Sequence, residues 1–342
     1  MAATIKDIAR ETGLSLATIS KYINGGNLRE KNRIAIENAI KKLDYHVNEY
    51  ARGLKSKKSR TVGVVLPELA DLFNMKIVSV IERALQENGY SVIICDSQKN
   101  LDQEARSVEF LLNKQVDGII NIPMGNVSKH LRPAVEHNIP ILLLDRPLED
   151  LNGIASCVLI DNQGAARMAV RRLLEAGHRK IGIVVGPAEF YTAQMRLQGY
   201  REALEEYGVP FEERLVARAG LTVEGGYRQV RKLLKDAKDM TAVFVTNYEM
   251  TLGALIALNK EGIQIPQELS IVGFDNIMDL SRVFRPSLTI ISQPMEQIGL
   301  QAARLMLERL SGDASAAPMT VTLSASLREG ESVQPRMDVD RP

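Results

Sequence analysis

The 342-residue sequence contains no tryptophan and only two cysteines, and aromatic residues make up 5% of it. Cys95 and Cys157 lie far apart, so the spacing fits neither a disulfide framework nor a metal site, and we expect no metal and no cofactor. No apolar run approaches the ~20 residues that a membrane helix needs, and the start "MAATIKDIAR" lacks an apolar signal core. These absences predict a globular protein of the cytoplasm.

Motifs of common enzyme classes are missing as well. The sequence holds no G-x-S-x-G, no H-E-x-x-H and no G-x-x-x-x-G-K-[ST]. The four histidines are scattered, which is typical of structural or solvated side chains: His46, His130, His137 and His178. The sequence therefore predicts a protein that is not an enzyme.

The net charge of +1 conceals an uneven distribution. Residues 1–60 carry thirteen Lys and Arg against six Asp and Glu, whereas the remainder carries thirty against thirty-six. A basic head on a mildly acidic body is typical of a segment that meets a polyanion. Scattered lysines more often form a solvated face, so charge alone leaves both interpretations open.

The head is predicted to form three helices. Thr4 can cap the first helix with Asp7 as a capping box, and Gly13 interrupts the chain after it. A third helix is predicted from about Glu30 to Leu43, where apolar residues recur at helical spacing. This order of short helices around a glycine-containing turn is that of the helix-turn-helix motif.

The second predicted helix has two unlike faces. Ser15 can cap it, and Ile19, Tyr22 and Ile23 fall on the face that packs inward. The opposite face carries Leu16, Ala17, Ser20 and Lys21. A helix that enters the major groove must be slender, and small side chains let its backbone approach the base edges. The alternative is a plain three-helix bundle.

A basic segment, "NEYARGLKSKKSR", follows the head. Asn48 can cap a short helix over Glu49–Lys55, which contains Gly53 and is too short to be stable alone. Leu54 would then be an apolar side chain among cations, a combination that minor-groove proteins insert between base steps. A basic linker with an incidental leucine is the alternative.

The words "TIKDIARETGLSLATISKYING" and "ARGLKS" resemble the headpiece of the lactose repressor (LacI/GalR) family of bacterial transcription regulators. The resemblance continues to about residue 330. It implies that the reading helix carries Ala17, Thr18, Ser20, Lys21 and Asn24, and that Leu54 is the minor-groove wedge beside Lys55. The chain departs from the family in having Arg29 where Ser or Thr usually caps the third helix, and Val47 where Pro is common.

From residue 61 onward, apolar strand-like runs alternate with helical stretches. The runs "TVGVVL", "YSVIICDS", "GIINIP" and "IPILLLD" come first, and "RKIGIVVGPAEFYT" then echoes "RTVGVVLPELADLF". The pattern predicts two similar α/β lobes, each with a parallel sheet. The resemblance adds lobes like those of periplasmic binding proteins, joined by three crossovers near residues 161–162, 292–293 and 320–322.

We therefore expect five regions in the chain. They are a helix-turn-helix domain (1–47), a hinge helix and linker (48–60), a first lobe (61–161 and 293–320), a second lobe (162–292 and 321–330) and a flexible tail (331–342).

Ligands of open parallel sheets bind beyond the carboxyl ends of the strands, which between two lobes form a cleft. Polar residues predicted there are Asp71, Asp145, Arg146, Asp161, Arg196, Asn247, Asp275 and Gln293, and Phe73 and Tyr191 could stack on a ring. Capping of the next helix is the alternative for any single Asp. The resemblance supports Asp145, Arg146, Arg196, Asn247, Asp275 and Gln293. The usual Asn-Pro-Phe-Phe is replaced by residues 71–74, Asp-Leu-Phe-Asn, and the usual Asn-Asp by Asn247-Tyr248.

The sequence thus predicts a DNA-binding transcription regulator, with repression as the expected role. It would bind a palindromic operator as a dimer, since one head reads few base pairs and the tail "REGESVQPRMDVDRP" has no leucine heptad for a tetramer. Its effector would be a sugar, a sugar acid or a phosphosugar. The alternative is a solute-binding module or an enzyme with an appended basic head.

Overall fold

The computed structural model describes residues 3–23, 26–45, 58–277, 285–311 and 317–336. The chain divides into two units, residues 1–60 and 61–342, which are described separately. The whole predicted hinge helix, with Gly53, Leu54 and Lys55, lies outside the described ranges. Asn24 of the predicted reading helix lies outside them as well.

The first unit contains the three helices that the sequence predicts. They are Ile5–Thr12 (α1), Leu16–Ile23 (α2) and Glu30–Lys42 (α3). At the start of α1, the Thr4 amide and hydroxyl donate to the Asp7 carboxylate at 2.9 and 2.6 Å. Gly13 ends the helix with φ 65°, a left-handed conformation that suits glycine. The predicted cap and break of α1 are therefore confirmed.

A small apolar core joins the three helices. Each helix contributes at least one buried side chain to it: Ile8, Ile19, Ile36 and Ala39. The Tyr22 hydroxyl also ties α2 to α3 by donating to Glu37 Oε1 at 3.2 Å. At Arg29, which precedes α3, the side chain makes no capping hydrogen bond. The helix is thus held by its packing rather than by its cap.

The second unit consists of two α/β lobes. Its strands are Thr61–Leu66 (β1), Ser91–Asp96 (β2), Gly118–Asn121 (β3), Ile141–Leu144 (β4), Ser156–Ile160 (β5), Ile181–Val185 (β6), Val216–Arg218 (β7), Ala242–Val245 (β8), Ser270–Phe274 (β9), Thr289–Ser292 (β10), Thr320–Leu323 (β11) and Ser326–Arg328 (β12). Its α-helices are Leu72–Glu87 (α4), Leu101–Asn113 (α5), Arg132–Glu136 (α6), Asn162–Glu175 (α7), Tyr191–Glu206 (α8), Val223–Asp236 (α9), Tyr248–Lys260 (α10) and Met295–Leu310 (α11).

The strands form two six-stranded sheets of the same order. The first sheet, β11-β5-β4-β3-β1-β2, is parallel throughout. The second, β12-β10-β9-β8-β6-β7, is parallel except that β12 runs antiparallel to β10. Strands β1 and β6 occupy equivalent places, as the repeated sequence pattern predicts. The predicted pair of similar α/β lobes is confirmed.

Helices cover both faces of each sheet. Helix α11 packs on α4, α8 on α7 and α10 on α9, while α5 and α6 lie over the outer face of the first sheet. Strand β4, "ILLL", is buried at all four residues. Continuous apolar runs of this kind belong to parallel sheets that are covered on both sides.

The chain crosses between the lobes three times. It leaves the first sheet after β5, at Asp161, and returns after β10, at Gln293. The third crossing lies beyond the expected residues 320–322, because β11 stays paired with β5 as far as Leu323, which is opposite Ile160. The expectation is corrected accordingly: residues 321–323 belong to the first lobe, and the crossing is at 324–325.

The expected flexible tail is also wrong for residues 331–336. The Ser332 side chain is fully buried, accepts from Thr289 N–H at 2.8 Å and donates to the Ile271 carbonyl at 2.7 Å. The Arg336 amide donates to the Ala176 carbonyl at 2.6 Å. The polar composition suggested solvation, but these groups are bonded to the backbone of the second lobe instead.

Candidate nucleic-acid interface and interlobe cleft

The outer face of α2 is exposed and built of small or flexible side chains. Leu16 is 46% exposed, Ser15, Ala17 and Lys21 are exposed, and Thr18 and Ser20 are half-buried. The Ser15 hydroxyl accepts from the Thr18 amide at 3.2 Å and lies 2.9 Å from the Thr18 hydroxyl. The predicted cap of α2 is therefore present, and it orients the first turn of the helix.

Ion pairs of the head lie mainly on α1 and α3. Among the described head residues they join Asp7 to Arg10 at 3.4 Å and Glu11 to Lys42 at 2.6 Å, and Arg33 pairs with Glu30 and Glu37. None of these pairs involves the exposed face of α2. That face therefore combines low bulk with the positive charge of Lys21, which suits contact with a nucleic-acid groove.

Three of the predicted cleft residues line one small cavity in the second unit. Phe73 comes from the first turn of α4, Asp145 follows β4, and Gln293 follows β10. Apolar side chains of the first lobe, including Ile122 and Ile160, complete the wall. Residues far apart in the chain thus meet where the strands end.

Arg196 is held rigidly in the second lobe. Its Nε donates to Asn162 Oδ1 at 2.8 Å, and its Nη1 donates to the Thr246 carbonyl at 2.5 Å. The guanidinium lies 3.8 Å from the centroid of the Phe274 ring. Burial lowers the pKa of Arg196, and the nearby charge of Asp275 opposes this effect. The cation is therefore oriented before any ligand binds.

Asp275 is a buried carboxyl group beside that cation. It is 4% exposed and accepts from Gln293 Nε2 at 2.6 Å. Burial raises its pKa to about 6, against the charge of Arg196 and the hydrogen bond from Gln293. Asp275 and Asp145 both have positive φ, 66° and 69°, a conformation in which Asp is over-represented. Both residues thus lie in left-handed backbone turns, which Asp adopts more readily than most residues.

Several buried polar atoms in this region have no hydrogen-bond partner among the described residues: Arg146 Nε and Nη1, Gln293 Oε1 and Asn121 Oδ1. Arg146 makes a long contact of 3.3 Å to Asp145 and lies 4.9 Å from the centroid of Phe190. Buried polar groups in proteins are nearly always hydrogen-bonded, so unpartnered ones at strand ends indicate a ligand site.

Helix capping accounts for other candidates. Asp71 accepts from the Phe73 amide at 2.9 Å and from the Asn74 side chain at 2.8 Å, and burial raises its pKa. Asn247 accepts from the Met250 amide at 3.2 Å. Asp161 likewise caps α7, since its side chain accepts from the Gly164 amide. Helix capping therefore explains the local hydrogen bonds of these three side chains.

Two tyrosines begin helices that face the strand ends. Tyr191 opens α8 and Tyr248 opens α10, and both are half-buried. Burial raises the pKa of both phenols, and for Tyr191 the nearby carboxyl group of Asp145 adds to the effect. Tyr191 therefore lies near the first lobe although it belongs to the second.

Three residues of this region are not among the side chains predicted from the sequence. Asn121 is fully buried at the end of β3, Asn162 orients Arg196, and Phe190 faces Arg146. Asn121 lies inside the run "GIINIP", and this apolar pattern predicts a strand at that position rather than a strand end.

Within the described ranges, no group of three or more His, Cys, Asp or Glu side chains could hold a metal ion. Among the helices of the same ranges, none has both the length and the apolar composition that crossing a membrane requires.

Comparison with known proteins identifies both units. Residues 4–48 match the model described as bacterial regulatory proteins, lacI family, and residues 59–326 match periplasmic binding proteins and sugar binding domain of LacI family. Catabolite control protein A of Priestia megaterium is 36% identical over 308 residues, covering 90% of this chain and 92% of that protein.

Solved structures agree with these matches. A lac repressor dimer bound to operator and an anti-inducer is 26% identical, with a TM-score of 0.85, covering 98% of this chain and 100% of that one. A complex of the transcriptional regulator CelR with cellobiose is 31% identical, with a TM-score of 0.75, covering 96% and 99%. The chain belongs to the LacI family of bacterial transcription regulators, DNA-binding repressors with a sugar-binding domain.

Proposed function

We propose that this chain binds a palindromic operator as a homodimer and that a small carbohydrate-derived effector in the interlobe cleft controls it. The convergence of Arg196, Asp275 and Gln293 supports this most strongly, because these charged and polar groups are buried and oriented at the ends of the strands. The exposed face of α2 supports the proposed binding to operator DNA.

The DNA contacts follow from the position of each side chain on α2. Residues at the start of a recognition helix reach base edges, so Ser15, Leu16, Ala17 and Thr18 would lie nearest the bases. Further along are two side chains that can donate hydrogen bonds to bases or phosphates, Ser20 and Lys21. The sequence adds Asn24, Leu54 and Lys55.

The cleft suits a hydroxyl-rich ligand. Its carboxyl groups, Asp71, Asp145 and Asp275, accept hydrogen bonds from hydroxyls, while Arg146 offers unpartnered donors. Three carboxyl groups against two guanidinium groups favour a neutral sugar over a sugar acid or a phosphosugar. Aromatic and polar side chains at its edges would complete the site: Phe73, Tyr191, Asn247 and Tyr248.

We infer a regulatory rather than a catalytic role, because the named relatives are transcription regulators. Its place of action is then the cytoplasm, on operator DNA. The exposed small-residue face of α2 is explained by contact with a DNA groove, and neither solute binding nor catalysis in the second unit requires it.

Salt titration of DNA binding tests the proposal. A regulator's affinity falls steeply with salt, and its affinity for one palindrome exceeds that for random DNA by ~10³ or more. Equal affinity for both DNAs would contradict it. A thermal-shift screen with neutral sugars, sugar acids and phosphosugars then identifies the effector class, and stabilisation by none of them would contradict the cleft assignment.

A further inference from the structure

Helix α5 carries a carboxyl group that the effector site does not use directly. Glu104 is fully buried and accepts three hydrogen bonds, from Asn121 Nδ2 at 2.8 Å, His130 Nε2 at 3.1 Å and the Met124 amide at 3.1 Å. A buried carboxylate is costly unless such bonds satisfy it. Glu104 therefore ties α5 to the end of β3 and to the loop that follows.

That loop, residues 122–126, is here called the cleft loop. It lines the cavity with Ile122 and reaches the second lobe, where Asn126 Nδ2 donates to the Glu189 carbonyl at 3.4 Å. The next residue of the second lobe, Phe190, faces Arg146 of the first at 4.9 Å. The lobes thus touch at two adjacent points. A bond as long as 3.4 Å is weak, which suits a contact that forms and breaks.

The chain is anchored on either side of Asn126, once within the cleft loop and once just after it. Met124 is fixed to Glu104, and the Ser128 hydroxyl bonds to Asp150. Asn126 itself is exposed, so these anchors decide where its amide points. We propose that Glu104 is a positioning residue that presents the cleft loop to Glu189 and Phe190 and so sets how readily the two lobes close.

Residue 104 faces two hydrogen-bond donors, the Asn121 side-chain amide and the Met124 backbone amide, and the His130 ring donates to it when Nε2 carries the proton. A carboxylate offers only acceptors to this set, whereas a glutamine would present an amide NH2 to at least one donor. Glu104→Gln keeps the size of the side chain and releases part of the anchor. Glu202→Gln is the matched control, since Glu202 accepts from Gln163 and Gln198 on the second lobe, away from the cleft loop.

Hydrogen–deuterium exchange of the ligand-free full chain measures amide protection on both sides of the contact between Asn126 and Glu189. Glu104→Gln should speed exchange of the Met124 amide about tenfold or more, the loss expected for a hydrogen bond to a charged group. It should also speed exchange of the Phe190 and Gln194 amides, which donate to the Pro187 and Phe190 carbonyls. Asn126→Ala should speed the two second-lobe amides and leave Met124 protected.

The double variant separates positioning from general loosening. If Glu104 acts through Asn126, the second-lobe amides exchange no faster in the double variant than in Asn126→Ala alone. Additive rates would overturn the proposal, as would faster exchange at Met124 with wild-type rates at Phe190. Should Glu104→Gln fail to fold, Asn126→Ala decides alone, because unchanged protection of Phe190 would show that the contact does not hold the lobes. These outcomes do not depend on DNA binding or on the effector.

Discussion

Replacing Asp275 with Asn tests the electrostatics of the cleft. In the folded protein burial raises the pKa of Asp275 from 3.8 to about 6, a value that already includes the attraction of Arg196. The ionised form is therefore disfavoured by folding. The protein loses stability as the pH rises from 3.8 through about 6, and the difference corresponds to about 3 kcal/mol. An asparagine cannot ionise, so the variant escapes this loss.

The stability gap between Asp275→Asn and the wild-type protein should thus grow by about 2.5 kcal/mol between pH 4 and pH 7.5, since part of the loss has already occurred at pH 4. Denaturant unfolding of both proteins at several pH values from 4 to 7.5 measures it. Taking the difference cancels groups common to both proteins, and Asp161→Asn, at an exposed helix cap, serves as control.

A gap that stays constant over this range would refute the reasoning, because Asp275 would then titrate alike in the folded and unfolded chains. The same variant should lose stabilisation by the effector at neutral pH, since it lacks the carboxylate that accepts hydroxyl hydrogen bonds. Increased stability with lost binding would mark a residue kept for its ligand rather than for the fold.

Three further variants test the two sites. Lys21→Ala should relax sequence preference at one operator position by ~1–3 kcal/mol, measured against single-base operator variants, whereas a uniform loss would restrict Lys21 to phosphate. Leu54→Ala should weaken specific binding and reduce DNA bending in a gel assay, and an unchanged bend would exclude the wedge. Arg196→Ala should abolish effector-dependent thermal stabilisation while the body stays folded, and a wild-type thermal shift would remove Arg196 from the site.

The fold was largely predictable because its signals are local. Apolar runs such as "TVGVVL" and "ILLL" mark buried parallel strands, and the repeat of one pattern after residue 178 marks a second lobe. The crossing at residues 324–325 was not predictable in the same way. Strands β11 and β12 are short and partly exposed, and neither Gly nor Pro separates them.

The candidate site was predictable as a location and less so as a set of contacts. Strand-end polar residues meet where the topology requires, but sequence cannot tell whether Asp71 or Asn247 caps a helix or faces a ligand, since both roles favour the same residue types. Asn162 and Phe190 depend on tertiary contacts with Arg196 and Arg146. No local pattern encodes such pairings.

The most direct test of the account is operator affinity with and without the effector that the thermal-shift screen selects. Linkage requires each ligand to change the affinity of the other by one factor, typically worth 1–3 kcal/mol, and we expect the effector to weaken operator binding. Gly53→Ala should stabilise the predicted hinge helix by about 1 kcal/mol, tighten operator binding and reduce the effector's influence. If the effector leaves operator affinity unchanged, and Gly53→Ala matches the wild-type protein in both conditions, the proposed coupling is wrong.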